Sequence, residues 1–388
     1  MKKYFLSMLV AGILPLLADA CNCPTICDIA DQNAYGHWQG KVDSASPESG
    51  FFTDLNFLYL KSEVDGLTYG QVLDVTLFGA PTPSRIEVQD RPRLPNFQWD
   101  PGLSVGVGYI IPQREQWQIS GYWTYLYSSA KNRDTFSNLT GNYLAVAWLP
   151  LVLGSIADRA DMDWSMNFNL ADIMISRNAF FGKWLSMEPR MGVRIAWINQ
   201  DYQVKYNGAY LYTDLTNGAQ NTLTRATQFV ASNDYWGAGA RVGSDFHWYI
   251  TKNLSMVGSF FASLLYGNFE VDEVYDGALL LNVGAGPALV PEVISLKKNF
   301  TALRPALETK LGLSWQSFFK DDAYRLLVGL FYEFDFWFEQ NELVDQFINR
   351  DSGLLSATAA SSNSNVTNLN PNGNLTLQGL RVQARFDF

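Results

Sequence analysis

The stretch Gly102-Leu103-Ser104-Val105-Gly106 has the Gly-x-Ser-x-Gly spacing that presents a nucleophilic serine in many hydrolases. That chemistry requires a sharp strand-to-helix turn. Here the five residues lie inside PGLSVGVGYI, where Leu103, Val105, Val107 and Tyr109 alternate with Gly102, Ser104, Gly106 and Gly108. Ser104 is therefore expected to be a small inward residue of a strand. His247, two residues from Asp245, is the other candidate for acid–base work. It falls near the short-turn end of a strand, where a hydrogen-bonded filler is the simpler reading. Gly237, Gly239 and Gly243 alternate along one strand, which suits close packing rather than a phosphate-binding loop. No catalytic residue, cofactor site or metal site is expected, and the chain is read as not an enzyme.

Cys21, Cys23 and Cys27 are the only cysteines. Their odd number leaves one thiol unpaired within the chain. A cross-link to another envelope protein and a local loop bridge with a spare thiol both remain open. Zinc does not fit, because His37 is the only nearby histidine and paired Cys-x-x-Cys elements are lacking. Ahead of the cysteines, residues 1–20 read as a cleaved signal peptide: Lys2 and Lys3, the apolar run FLSMLVAGILPLLA, then Ala18-Asp19-Ala20. A lipid-modified Cys21 competes with simple cleavage, although Asp19 fits that site poorly. Residues 21–50 read as a polar, cysteine-containing periplasmic segment. The net charge of −10 argues against nucleic acid as a partner.

The remainder, 51–388, must position whatever works. Aromatics make up 14% of the chain, including 12 Trp and 19 Tyr, more than a soluble domain needs. No apolar stretch beyond the N-terminus is long enough for a membrane helix. Period-two segments recur instead. Strands running one way start near residues 51, 116, 184, 254 and 323, and return strands near 96, 161, 234, 302 and 376. Short polar turns such as Thr251-Lys252-Asn253 join half of them, and long loops the other half. The expected fold is all-β: a transmembrane antiparallel barrel of about 10 strands (range 10–16), with long extracellular loops and short periplasmic turns. Trp117, Trp248, Trp315 and Tyr324 are assigned to a periplasmic aromatic girdle, and Tyr127, Trp164, Trp197, Trp236 and Tyr266 to an outer one. The runs 143–154 and 278–294 are apolar for loops and are expected to pack on the barrel mouth, or to be uncounted strands. Residues 361–374 read as a polar, flexible surface loop.

The chain finishes LQGLRVQARFDF, with Leu380, Val382, Ala384, Phe386 and Phe388 alternating with polar residues. This pattern suits a lipid-facing closing strand. It is similar to the C-terminal signal read by barrel-assembly machinery, making Phe388, Phe386 and Leu380 the expected membrane anchor and assembly signal. MDWSMNFNLADIMISR (162–177), WLSMEPRMGVRIAWINQDY (184–202) and the hairpin around VGVGYIIPQREQW resemble the Legionella-type major outer membrane protein family, which includes the MOMP-like pore-forming proteins of environmental chlamydiae. The resemblance implies an outer-membrane barrel, porin activity and disulfide cross-linking in the envelope.

If the apolar face meets lipid, the opposite face lines the lumen. The pore-lining candidates are Arg190, Arg194, Arg241, Glu188, Asp245, Lys310, Glu333, Asp335, Arg381 and Arg385. Asp54, Glu308, Arg325 and Asp387 share that face. The near balance of signs permits a selective pore or a lumen filled by paired side chains. The expected function is a bacterial outer-membrane porin passing small hydrophilic solutes or ions. The alternative is a structural or adhesive barrel with a closed lumen, acting through surface loops and disulfide cross-links. The partners implied are the lipid bilayer, small hydrophilic solutes, the assembly machinery, and either further copies of the chain or disulfide-linked envelope proteins.

Overall fold

The computed structural model describes residues 50–388 apart from 77–84, 112–116, 136–141, 147–154, 182–183, 214–219, 283–286, 321–323, 344, 351–363 and 370–372. The leader and the three cysteines lie outside the described residues. In chain order the strands are β1 (Gly50–Val64), β2 (Gly70–Thr76), β3 (Arg85–Arg93), β4 (Trp99–Ile110), β5 (Trp117–Thr135), β6 (Asn142–Val146), β7 (Ser155–Arg177) and β8 (Ala179–Phe180). They continue with β9 (Leu185–Thr213), β10 (Gln220–Tyr249), β11 (Leu254–Asn282), β12 (Pro287–Phe319), β13 (Tyr324–Asn341), β14 (Asp345–Arg350), β15 (Ser364–Leu369) and β16 (Gly373–Asp387).

Ten of these are staves of one closed antiparallel barrel, in the order β1, β4, β5, β7, β9, β10, β11, β12, β13, β16. The ring shuts where β16 pairs with β1, Phe57 opposite Val382 and Phe52 opposite Asp387. Closure is compulsory in lipid, because an open edge would leave backbone groups unpaired. The ten staves coincide with the ten strands expected from the alternation. The other strands decorate the long-loop end: β6 pairs with β2 and β7, β2 with β3, and β14 with β15. Short β8 borders β9 at the other end.

The long loops differ from expectation because much of their length is strand. β9, β10, β11 and β12 have 29, 30, 29 and 33 residues, far more than a membrane crossing needs. Of the apolar run 278–294, residues 278–282 belong to β11 and 287–294 to β12, with Leu280 opposite Leu289. Residues 142–146 form β6, and 364–369, expected as flexible loop, form β15.

Each tall stave carries two patterns in series. On β11, Met256, Phe260, Leu264 and Tyr266 point outward at the short-turn end, and Ser255, Ser259 and Ser263 point in. Past Tyr266 the pattern inverts: Asn268, Glu270 and Asp272 face out, while Phe269, Val271 and Tyr275 are buried inside. β9 inverts after Trp197, where Asn199 and Asp201 replace the apolar outward residues and Ile198, Tyr202, Val204 and Tyr206 turn inward. The outward surroundings explain the switch: lipid favours an apolar exterior, and water beyond it favours an apolar interior. The lipid band on β10 runs from Trp248 to Trp236, about 28 Å at the rise and tilt usual for barrel strands.

Trp164 is a correction. It was expected in the outer girdle, but it is 1% exposed inside the barrel, edge-on to Phe97 at 5.1 Å. β7 places Met162, Trp164, Met166, Phe168 and Leu170 inward, so its apolar face is the core face. Tyr127, Trp197, Trp236 and Tyr266 do face outward, as do Trp248 and Trp315 at the other end.

Candidate functional site: the barrel interior

The interior is built in layers. Nearest the short turns is a polar vestibule, a cavity of about 80 Å³ lined by Gln118, Glu188, Arg190, His247, Lys310 and Arg325, among others. Ser255 and Ser314, directly opposite each other on β11 and β12, share a hydrogen bond of 2.8 Å. Connections cross the barrel here. Arg385 on β16 donates to Gln118 on β5 at 3.4 Å, and Gln118 donates to Glu188 on β9. Glu188 also accepts from Ser176 of β7 at 2.8 Å.

Above the vestibule lies an ionic layer around a second cavity of about 100 Å³. Arg190 reaches Asp245 at 2.8 Å and Glu188 at 3.1 Å. Arg194, 1% exposed, forks onto Asp172 at 2.7 Å and also pairs with Glu308. Arg241 bridges the same two carboxylates at 3.0 and 2.7 Å. Arg381 grips Glu333 through two bonds of 2.6 and 2.7 Å. Lys310 stands 3.7 Å from Asp245, and Arg325 and Arg385 share Asp387. Buried charges persist when paired and hydrogen-bonded, and most of these are.

Over the ionic layer sits the apolar core. Leu58, Leu126, Phe168, Ile198, Phe269, Trp337 and Leu377 are each no more than 1% exposed and belong to one contiguous cluster. Its members come from every stave except β4, together with β6 and two inward-turned segments. Side chains that line an aqueous channel are wetted, and at this level they are not. The edge-to-face pair of Phe168 and Trp337, with centroids 5.5 Å apart, roofs the ionic layer, and the Arg194 guanidinium lies 5.8 Å from the Trp337 ring. Tyr235 lies over Gly237 and Gly267, where a Cβ would collide with its ring. Of the alternating glycines, Gly237 is thus a seat for Tyr235 and Gly243 for the Phe261 ring, while Gly239 leaves room for the Leu264 backbone.

Two segments fold into the mouth. After β1, Leu67 and Tyr69 are each 1% exposed; Tyr206 of β9 donates to the Tyr69 carbonyl at 2.6 Å, and the Tyr69 hydroxyl donates to Asp134. Burial, then the Asp134 bond, push the Tyr69 phenol up to about 12. At the end of β13 the ladder to β16 slips between Trp337 and Asn341, and Glu339 takes φ 48°. Gln340, Asn341, Glu342 and Leu343 then turn inward, all buried. The Gln340 carbonyl accepts from Asn233 at 2.8 Å and Gln200 at 3.3 Å, on the far wall. Glu342 pairs with Arg304 and with Lys298 at 3.2 Å. Asn341 donates to the Asp65 carbonyl at 2.8 Å, tying the two segments together.

All ten pore-lining candidates face inward, on the strand faces the alternation assigned them. Asp172 was missed, although it anchors Arg194 and Arg241. Its signal was present: among the even-numbered residues from Met162 to Ser176 of β7 it is the one charge, on the face that the outward assignment of Trp164 turned the wrong way. Ser104 is 2% exposed and accepts from Thr124 at 2.9 Å. Ser104 and His247 line different cavities. Phe388, Phe386 and Leu380 are exposed on the outer surface, with the Phe388 amide donating to the Phe51 carbonyl at 2.9 Å.

A closed antiparallel barrel with an aromatic-edged apolar belt and a polar, charged interior at the same height defines an outer-membrane β-barrel protein. A family profile described as the Legionella pneumophila major outer membrane protein precursor matches residues 45–388, and the chain belongs to that family. No individually curated protein matches significantly. Among solved structures, the chain is similar to the outer membrane protease OmpT of Escherichia coli (8% identity, 92% of this chain and 99% of that one, TM-score 0.35). It is also similar to a major outer membrane protein of Thermus thermophilus (11%, 88% and 99%, TM-score 0.24) and to a Pseudomonas aeruginosa FadL homologue (7%, 87% and 90%, TM-score 0.26). Scores this low carry no functional argument.

Proposed function

We propose that the chain is a closed, structural outer-membrane barrel that acts through the tall part standing beyond the lipid, and that it is neither an open diffusion pore nor an enzyme. The observation that carries this reading is the apolar layer. Inward side chains from nine staves meet in one cluster, and members such as Leu126, Met166, Ile198 and Leu265 have no measurable exposure. A ten-stranded barrel is only slightly wider than the eight-stranded barrels that side chains fill, and far narrower than the sixteen-stranded ones that hold an aqueous channel. The charged layer below is cross-linked by ion pairs, its acids exceeding its bases by only one around the cavity, which suits packing better than ion selection.

The test is single-channel recording on the refolded, leaderless protein in planar bilayers. Flat traces over a salt series are expected. Discrete, reproducible openings would overturn the closed reading and favour the pore for small hydrophilic solutes. That second reading has one observation in its support: the lipid-level half of the lumen is polar and already contains two cavities. In it, the apolar layer and the inward segments would have to move aside.

A further inference from the structure

The charges around the larger cavity do not balance. Six carboxylates line it (Asp54, Asp172, Asp245, Glu308, Glu333 and Asp335) against five cations (Arg190, Arg194, Arg241, Lys310 and Arg381). Every cation is engaged. Arg194 and Arg241 are held by Asp172 and Glu308, Arg381 by Glu333, and Arg190 and Lys310 by Asp245. Asp54 has neutral partners, accepting from Asn56 at 3.0 Å and Gln383 at 2.6 Å.

Asp335 remains. It is 7% exposed, its Oδ1 is fully buried with no hydrogen-bond partner, and among the described residues no cation lies within ion-pair distance of it. The cations nearest to it, Arg381, Arg194 and Lys310, are already held by Glu333, by Asp172 with Glu308, and by Asp245. Glu308 stands directly opposite on β12, Glu333 precedes it by two residues on the same face of β13, and its partner on β16 is Leu377. An ionised carboxylate buried without a partner is among the least tolerable groups in a low-dielectric interior. The cavity beside it, about 100 Å³, has room for several water-sized species.

We propose that Asp335 holds one exchangeable positive charge at the centre of the barrel, supplied either by a proton on its carboxyl group or by an alkali cation lodged in the cavity. The extra charge brings the ring of six acids and five bases to neutrality, whether or not the barrel ever conducts.

The experiment compares the wild-type protein with Asp335→Asn, a near-isosteric neutral replacement, both refolded in the same detergent micelles. Unfolding by urea is followed from about pH 5 to about pH 9, a range clear of an ordinary aspartate. Choline chloride and sodium chloride are used at equal ionic strength. In choline chloride, the wild-type unfolding constant should climb relative to that of the variant, by as much as tenfold per pH unit where a proton must leave. If sodium abolishes the climb, the charge is an alkali cation. If sodium leaves it unchanged, the charge is a proton, and the folded wild type then shows the infrared carbonyl band of a neutral carboxylic acid that Asp335→Asn lacks. Parallel profiles for the two proteins in both salts, with no such band, would overturn the proposal. Should Asp335→Asn fail to refold, the infrared band and the sodium dependence of the wild type decide the matter alone.

Discussion

Removing the roof of the ionic layer should cost more than any lipid-facing change, and the cost can be apportioned. Phe168 and Trp337 are each 1% exposed and meet edge-to-face at 5.5 Å and 89°. Truncating a buried aromatic to alanine costs about 3–5 kcal/mol when the surroundings cannot collapse. Collapse is restrained here, because both residues sit on staves of a closed ladder. Phe168→Ala and Trp337→Ala should therefore each raise the unfolding constant by roughly two to nearly four orders of magnitude. The double variant should fall short of additivity by about 0.5–1.5 kcal/mol, the usual worth of an aromatic pair beyond its area. The assay is urea unfolding of refolded protein in micelles, followed by tryptophan fluorescence and read against Tyr127→Ala as an outward-facing comparison. Single losses below about 1 kcal/mol, or strict additivity in the double variant, would refute the inward assignment of β7 and with it the apolar layer.

Two further outcomes follow from the ionic layer and the mouth. Arg194→Met keeps the apolar stem but leaves Asp172 and Glu308 sharing Arg241 alone; a loss of about 3–5 kcal/mol in the same unfolding assay is expected, with partial recovery when Asp172→Asn is added. Tyr69, held up to about 12 by burial and Asp134, contributes stability that is complete below its ordinary value near 10 and is lost as pH rises through about 12; urea midpoints measured across that window should fall more steeply for the wild type than for Tyr69→Phe.

The barrel was legible in the sequence because lipid imposes one rule over a fixed height. For each crossing, apolar residues must alternate outward, and the starts near 51, 116, 184 and 254 fall within about one residue of β1, β5, β9 and β11. The same rule oriented all ten interior candidates, since a side chain's face follows from parity once one lipid-facing neighbour is known. Parity could not reveal which charges pair across the lumen. Arg194 and Glu308 are 114 residues apart, and their meeting depends on curvature and shear that no local pattern encodes.

The tall part was misread for a related reason. Beyond the girdle, water takes the place of lipid and the strand keeps its parity while exchanging the faces of its apolar and polar residues. Read with a single rule, Asn268, Glu270 and Asp272 look like the start of a loop, although they are the outward face of continuing strand β11. β7 exposes the consequence most directly. Its apolar residues Trp164, Met166 and Phe168 share even parity with Asp172, and a lipid-facing strand would not place a carboxylate on that face. Taken as the fixed point, Asp172 turns the whole strand around, buries Trp164, and supplies the anion that Arg194 and Arg241 require. A charge at membrane depth is therefore a firmer guide to strand orientation than an aromatic, because a tryptophan is at home on either face and an aspartate on only one.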